Sequence, residues 1–237
     1  MTTFPGGTSL SFLDVYSDPA PDGICGGSPH LHTASTECYV AIGGRGQIHT
    51  LTSDGYRETE LDEGRIAWFT PGTIHRAVNV DRARFIVLMS NAGLPEAGDA
   101  VMTFPAAYLT DSGRYREAAA LPSGGSDEQL AAAASRRRDL AVEGYLPIRD
   151  ALIAGDDRPL GEFREAAARI VEDRVGSWTP IVERGPLAQA QNTLDVLSRI
   201  ASGDASHLAE AAVSPVLAPS PGFGMCGRLR AFDVAAF

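Results

Sequence analysis

Hydrophobic residues are spaced in two different ways along this chain. Up to about Pro95, β-branched and aromatic residues come in short alternating runs broken by Gly, Asp and Pro. This period-two spacing predicts strands over 8–16, 37–42, 47–51, 65–70, 74–80 and 84–89. Gly43-Gly44, Ser53-Asp54-Gly55, Asp62-Glu63-Gly64 and Pro71-Gly72 mark the turns between them. Short strands with regular turn signals imply a mainly β unit, a barrel or sandwich, over residues 1–95.

Beyond Pro95 the period becomes helical. Ser126 and Gln129 form a capping box ahead of an Ala-rich helix. Leu160, Phe163, Ala167, Ile170 and Val171 recur at helical spacing. So do Leu187, Leu194, Leu197 and Ile200, with Pro186 as a first-turn proline. Each helix has one apolar stripe and is expected to pack on the outside of the barrel. Alternation returns near the C-terminus, and a last strand over about 222–234 is expected to rejoin the sheet as an edge. Residues 96–237 therefore read as a helical extension of the same domain.

Composition narrows the function. The 237 residues are 44% hydrophobic and 21% charged, enough for a real core. No run approaches the length of a membrane span, and Met1 to Gly7 lacks the basic and apolar regions of a signal peptide. The net charge of −10 argues against a nucleic-acid partner, and Arg136-Arg137-Arg138 reads as a solvated helix face. All 20 basic residues are Arg, which rules out lysine Schiff-base and P-loop chemistry. Cys25, Cys38 and Cys226 are isolated and odd in number, so no disulfide is expected and a cytoplasmic location is.

The chemistry lies with the histidines, of which there are five: His30, His32, His49, His75 and His207. His30 and His32 are two apart, which on a strand puts both rings on one face. Glu37 has the wrong parity to join them unless the chain bends over 33–36 and starts a neighbouring strand. His75 follows the Pro71-Gly72 turn, which can deliver it to the opposite strand. Three imidazoles and a carboxylate suit one divalent transition metal, Fe, Mn, Ni, Zn or Cu, with up to two positions left open. Tyr39 and Ala41 share the parity of Glu37 and face inward. Arg65, Ala67 and Phe69 form one face of their strand and Ile66 and Trp68 the other; the spacing does not say which faces the cavity. Tyr39, His49, Phe69 and Asn79 are the candidates to line it, although a structural role is the plainer reading for His49 and Asn79. His207 reads as a surface residue.

The segment Gly26-Gly-Ser-Pro-His30-Leu-His32-Thr-Ala-Ser-Thr-Glu37, closed by Gly43, resembles the first motif of the cupin family. The segment Gly64 to Asn79, with Thr70-Pro71-Gly72-Thr73-Ile74-His75 at its centre, resembles the second. Thr70 stands where the family usually has a proline, and the leading Gly of the first motif is slightly displaced. Neither departure touches a ligand. The resemblance covers about the first 90 residues. It implies a cupin-type antiparallel β-barrel (a jelly roll), with His30, His32, Glu37 and His75 as metal ligands, and a homodimer paired through sheet edges.

The cupin fold serves many activities, so fold alone leaves function open. A non-haem-iron-type dioxygenase acting on a small molecule is the first expectation. A redox-neutral isomerase or epimerase of a sugar or sugar phosphate is the second. A non-catalytic module that binds metal or small molecules is the third.

Overall fold

The computed structural model describes residues 4–232. Among these, nine strands form one antiparallel sheet: β1 Ser9–Val15, β2 His30–His32, β3 Glu37–Thr52, β4 Gly55–Glu60, β5 Ile66–Phe69, β6 Ile74–Met89, β7 Ala100–Met102, β8 Gly222–Phe223 and β9 Gly227–Ala231. The helices are α1 Ala106–Leu109, α2 Ser112–Ala119, α3 Asp127–Ile153, α4 Arg158–Val171, α5 Val175–Val182 and α6 Ala188–Ala201.

Two long strands organise the sheet. β3 and β6 pair from Glu37↔Met89 to Leu51↔Ile74, with register shifts between Ala41 and Gly46. The expected turn at Gly43-Gly44 is thus a bend inside one continuous strand. Gly44 has φ +69°, and a Cβ there would lie 2.2 Å from the Arg82 carbonyl oxygen. Only glycine admits both that conformation and that approach. Opposite the bend Arg82 also has a positive φ, and Asn79 braces the site. Its amide donates to the Val15 carbonyl (2.8 Å) and accepts from the Ala83 N–H (3.0 Å).

The bend divides the sheet into two halves that share β3 and β6. One half runs β5-β3-β6-β1-β9-β8 and the other β4-β3-β6-β2-β7. They face each other as in a jelly roll, but the sheet does not close into a continuous barrel. Leu13, Tyr39, Ile48, Phe69, Ala77 and Phe85 fill the space between them. Strands β4 and β7 carry no sequence signal strong enough to announce them. The three residues of β7 lie beyond Pro95, so the sheet continues past the boundary that the change of period suggested.

A second core forms where the helices cover the outer face of the β2-containing half. Leu31, Leu51 and Ile74 of the sheet meet Tyr145 of α3 and Leu160 and Phe163 of α4. The amphipathic stripe of α4 is buried as its spacing predicts, and Ser126 and Gln129 cap α3 reciprocally. The other stripe departs from expectation. α6 has no buried residue, and Leu187, Leu194, Leu197 and Ile200 are 55–58% exposed. Its first turn is tied to the N-terminal segment through Gln189, which bonds Gly7 and Phe4.

The arginine triplet also departs from its sequence reading. Successive helix residues point about 100° apart, so three in a row cannot share one face. Arg138 is buried and joins α3 to Asp18, both through its carboxylate (2.6 Å) and through its carbonyl (3.0 Å). Arg137 donates to the carbonyls of Ala119 and Gly224. The C-terminal return is a hairpin of two strands; β9 pairs with β1, and β8 forms the edge. The end of the expected strand, residues 233 and 234, lies outside the described residues.

The outer face of the β5-β3-β6-β1-β9 half is unlike its inner one. Alternation turns Leu10 and Phe12 of β1, Cys38 and Val40 of β3, Ile86 and Leu88 of β6, and Ile66 and Trp68 of β5 outward. The pairing puts Trp68, Cys38, Leu88 and Leu10 on one rung and Ile66, Val40, Ile86 and Phe12 on the next.

Candidate metal centre

β2 holds His30 and His32 on one face of the sheet, and its pairing with β6 sets His30 directly opposite His75. The chain then bends over 33–36, and Glu37 opens β3 facing the same interior. The parity argument required that bend. All four side chains are buried, and one ligand atom from each lies within 4.8 Å of the others. Glu37 Oε2 is 3.0 Å from His75 Nε2 and 3.3 Å from His32 Nε2.

The outward nitrogen of each ring identifies its tautomer. His30 Nδ1 is 2.9 Å from the Ser28 carbonyl, His75 Nδ1 is 3.2 Å from the Thr73 carbonyl, and His32 Nδ1 is 2.7 Å from Asp99 Oδ1. An acceptor opposite each Nδ1 assigns a proton to that nitrogen, so Nε2 is the ring nitrogen turned to the centre in each case. His32 Nε2, His75 Nε2 and Glu37 Oε2 are buried with no hydrogen-bond partner. Unsatisfied buried polar atoms cost about 1–3 kcal/mol each. Three of them converging on one point form a cluster that could hold a metal ion, and the donor set fits a divalent transition metal.

Without a cation the cluster is electrostatically polarised. Burial, and then the neighbouring His75 and His32, hold the His30 imidazole well below its ordinary range. Burial also opposes charge on His32, but Asp99 and Glu37 outweigh it and raise that ring to about 10. Burial pushes the Glu37 carboxyl up; His75 and His32 more than reverse this and hold it well below the usual carboxylate range. The cluster therefore keeps an ionised carboxylate at its centre.

The structure separates the four candidates for lining residues. The cluster opens into a cavity of about 180 Å³, with His30, His32, Glu37 and Tyr39 in its wall. Tyr39 is thus where parity placed it, and its hydroxyl is 3.5 Å from Cys226 Sγ. Phe69 faces inward and packs its ring on His75 with centroids 4.1 Å apart, but it backs that ring and does not line the cavity. His49 is on the opposite face of the sheet, held by Gln47 and Tyr56. Asn79 braces the bend described above. Neither His49 nor Asn79 reaches the cavity. A larger groove of about 1070 Å³ lies among α1, α2, α3 and α4, but it contains none of the four clustered residues.

Sequence reasoning missed Asp99 and the C-terminal wall. Asp99 is fully buried, accepts from His32 and from the Ser35 N–H (2.9 Å), and its carbonyl accepts from the Thr33 N–H (2.9 Å). In sequence it is an acid after a glycine, which reads as a turn. Met225, Cys226 and Leu229 complete the cavity wall about 190 residues from the first motif, and their alternation signalled a strand without saying which. The other walls include Ser9, Ser11, Leu13, Val87, Met89 and Glu96, and no Arg lines the cavity.

Residues 2–102 match the family model for Cupin. This part of the chain is similar to the cupin family. Similar solved structures include an uncharacterised conserved protein with a double-stranded beta-helix domain from Klebsiella pneumoniae (20% identity, 38% of this chain and 69% of that one, TM-score 0.28). A recombinant oxalate oxidase in complex with glycolate is similar at 20% identity over 36% of this chain and 51% of that one (TM-score 0.26). So is the WlaRB TDP-quinovose 3,4-ketoisomerase from Campylobacter jejuni, at 17% identity over 34% of this chain and 60% of that one (TM-score 0.29). The chain thus spans about half to two thirds of the length of these proteins. No curated protein matches the chain. No helix among the described residues is long and apolar enough to cross a membrane.

Proposed function

We propose that this cupin is a metal-dependent enzyme. It holds one divalent transition ion on His30, His32, Glu37 and His75 and acts on a small, largely apolar molecule, most simply as a dioxygenase. The observation that carries this reading is the convergence of three buried atoms, His32 Nε2, His75 Nε2 and Glu37 Oε2, with no hydrogen-bond partner outside the cluster, at the end of an apolar cavity. The ion, when bound, supplies the redox and Lewis-acid chemistry that these side chains lack.

The protein's own groups orient and exclude. Asp99, Ser28 and Thr73 keep the three rings in the tautomer that presents Nε2. Leu13, Val87, Met89, Met225 and Leu229 keep water from the centre, and Tyr39 and Cys226 add one hydroxyl and one thiol. A volume of about 180 Å³ admits only a small substrate. The choice of oxidation over sugar-phosphate isomerisation rests on what the walls lack. A phosphate calls for a fixed cation, and proton shuttling for an acid or base beyond the ligands. Apart from those ligands, the lining carboxylate is Glu96, on an exposed stretch and bonded to the Gly93 N–H.

The test is elemental analysis of protein purified without chelator, followed by oxygen-electrode assays with small neutral organic compounds. Stoichiometric iron with substrate-dependent oxygen uptake is expected, and His75→Ala loses both. Zinc alone would sink the dioxygenase reading. Iron without uptake for any compound would favour a non-catalytic binding module. A wild type that takes up no metal would remove the ligand assignment.

A further inference from the structure

The cavity that holds the His/Glu cluster is not apolar along its whole length. Ser9 and Ser11 of β1 line it, and so does Glu96. Strand register sets the place of the serines. Met89 pairs with Glu37 on one side and with Ser9 on the other, and Val87 likewise stands between Tyr39 and Ser11. Residues directly opposite one another share a face, so both serines point inward with Glu37 and Tyr39. Two strand spacings separate Ser9 from Glu37, about 10 Å. Met89 and Val87 fill that interval, with Leu13 and Leu229 together on the next inward rung. Glu96 belongs to the loop that leaves β6 after Met89. That loop is tied to the residues just ahead of β1, because the Ala92 N–H donates to the Gly7 carbonyl (2.8 Å). The carboxylate is therefore at the serine end. Ser9 is buried, yet neither serine hydroxyl has a hydrogen-bond partner among the described residues. Glu96 accepts from the Gly93 N–H (2.9 Å) through one oxygen only.

We propose that Ser9, Ser11 and Glu96 form a subsite for a primary ammonium group, so that the ligand of this cavity is a small amphipathic amine. The assignment of that ligand as a substrate rests on the metal-dependent reading above, whereas the subsite itself needs no ion. A primary ammonium has three N–H donors and no acceptor. Two hydroxyls and the open Glu96 oxygen offer it three acceptors. Hydroxyls alone would suit an alcohol or an amide equally well. The carboxylate, in a wall without Arg, selects the cation and disfavours a carboxylate or phosphate in its place. Position agrees with charge. Ser11 is half-buried and Glu96 exposed, so the ammonium stays partly hydrated at the mouth. Its carbon chain lies along Met89 and Val87, an arrangement that keeps the charged head wet and the stem dry. The opposite orientation would bury the charge among the inner walls at a large desolvation cost.

The experiment is isothermal titration of the full chain with n-pentylammonium and with n-pentanol at neutral pH, before and after treatment with a chelator. The amine is expected to bind about tenfold or more tightly than the alcohol in both preparations, because hydrogen bonds to a charged group are the stronger ones. Ser9→Ala and Ser11→Ala should each weaken the amine about tenfold. Glu96→Gln should remove its preference over pentanol. Tm is the folding control, since neither hydroxyl bonds to the protein. Equal binding of the two probes, or no binding of either, overturns the proposal. So does amine binding that survives these substitutions but is lost in Glu162→Gln, which assigns it to the groove among α1, α2, α3 and α4. A preference seen only before chelation and unmoved by the substitutions places the amine on the ion; it overturns the subsite and leaves the metal-dependent reading standing. A preference that needs Ser9 and Glu96 in protein that takes up no metal supports the subsite and removes that reading alone.

Discussion

Replacing Asp99 by Asn changes almost no volume and no backbone contact, yet it reaches the candidate metal centre through one proton. Asp99 accepts from His32 Nδ1 at 2.7 Å and from the Ser35 N–H at 2.9 Å. Its carbonyl, bonded to the Thr33 N–H and hydroxyl, is untouched by the change. The amide has one oxygen for these two donors. If that oxygen stays on Ser35, the new NH2 faces His32 Nδ1, and two donors meet. His32 relieves the clash by moving its proton to Nε2, where it occupies the lone pair aimed at the centre. Losing such a supporting acceptor typically lowers metal affinity about 10- to 100-fold, or about 1.4–2.7 kcal/mol. Competition titration of zinc or cobalt against a chromophoric chelator, with far-UV circular dichroism as the folding control, measures this directly. An Asp99→Asn variant that folds and binds metal within about twofold of wild type would refute the role of Asp99 in setting the tautomer.

Three further outcomes are expected. Asp99 and Glu37 hold the metal-free His32 ring protonated up to about 10. The proton wins below that value, so apparent metal affinity should climb by up to about tenfold per unit as pH rises towards it. Calorimetry in buffers of different protonation heat should detect the released proton, and zero release counts against the assignment. Asp22→Asn leaves Arg76, fully buried and paired with Asp22 at 2.5 Å, without its counter-charge, at a cost of about 3–5 kcal/mol in urea denaturation. Burial raises the Asp22 carboxyl but Arg76 outweighs it, so the net shift is down. The stabilisation is therefore present above the ordinary carboxylate range and fades as pH falls through the lowered value, an acid dependence that Asp22→Asn should abolish. Phe163→Ala, in the core beneath α4, should cost about 3–5 kcal/mol. Leu197→Ala on exposed α6 should cost less than about 0.5 kcal/mol in the monomer, and thermal melts of the pair tell a packed helix from a bare one.

The helices show how far periodicity reaches. α4 and α6 have similar apolar stripes, but only α4 is buried. A stripe says that a helix has a face to hide; whether this chain supplies the cover depends on where the connections leave it. The same limit applies to the strands. Alternation separates Ile66 and Trp68 from Ala67 and Phe69, but both sets are hydrophobic enough to face a core. The pairing of β5 with β3 turned Phe69 to the interior and Trp68 to solvent.

By itself the sequence brought the candidate His/Glu cluster together. His30 and His32 share a face because strand residues two apart must. The reversed parity of Glu37 demanded the bend at 33–36, and Pro71-Gly72 gave His75 its turn. These are local constraints on a few dihedral angles, so neighbouring residues suffice to express them. Tertiary structure alone decided which distant groups complete the centre. Asp99 meets His32 across 67 residues, and Cys226 meets Tyr39 across 187. It also placed His49 outside the cavity and made Asn79 a brace for the Gly44 bend. Such contacts depend on how strands order themselves across the sheet, and that order follows from burying all the apolar faces together. No short segment carries that information.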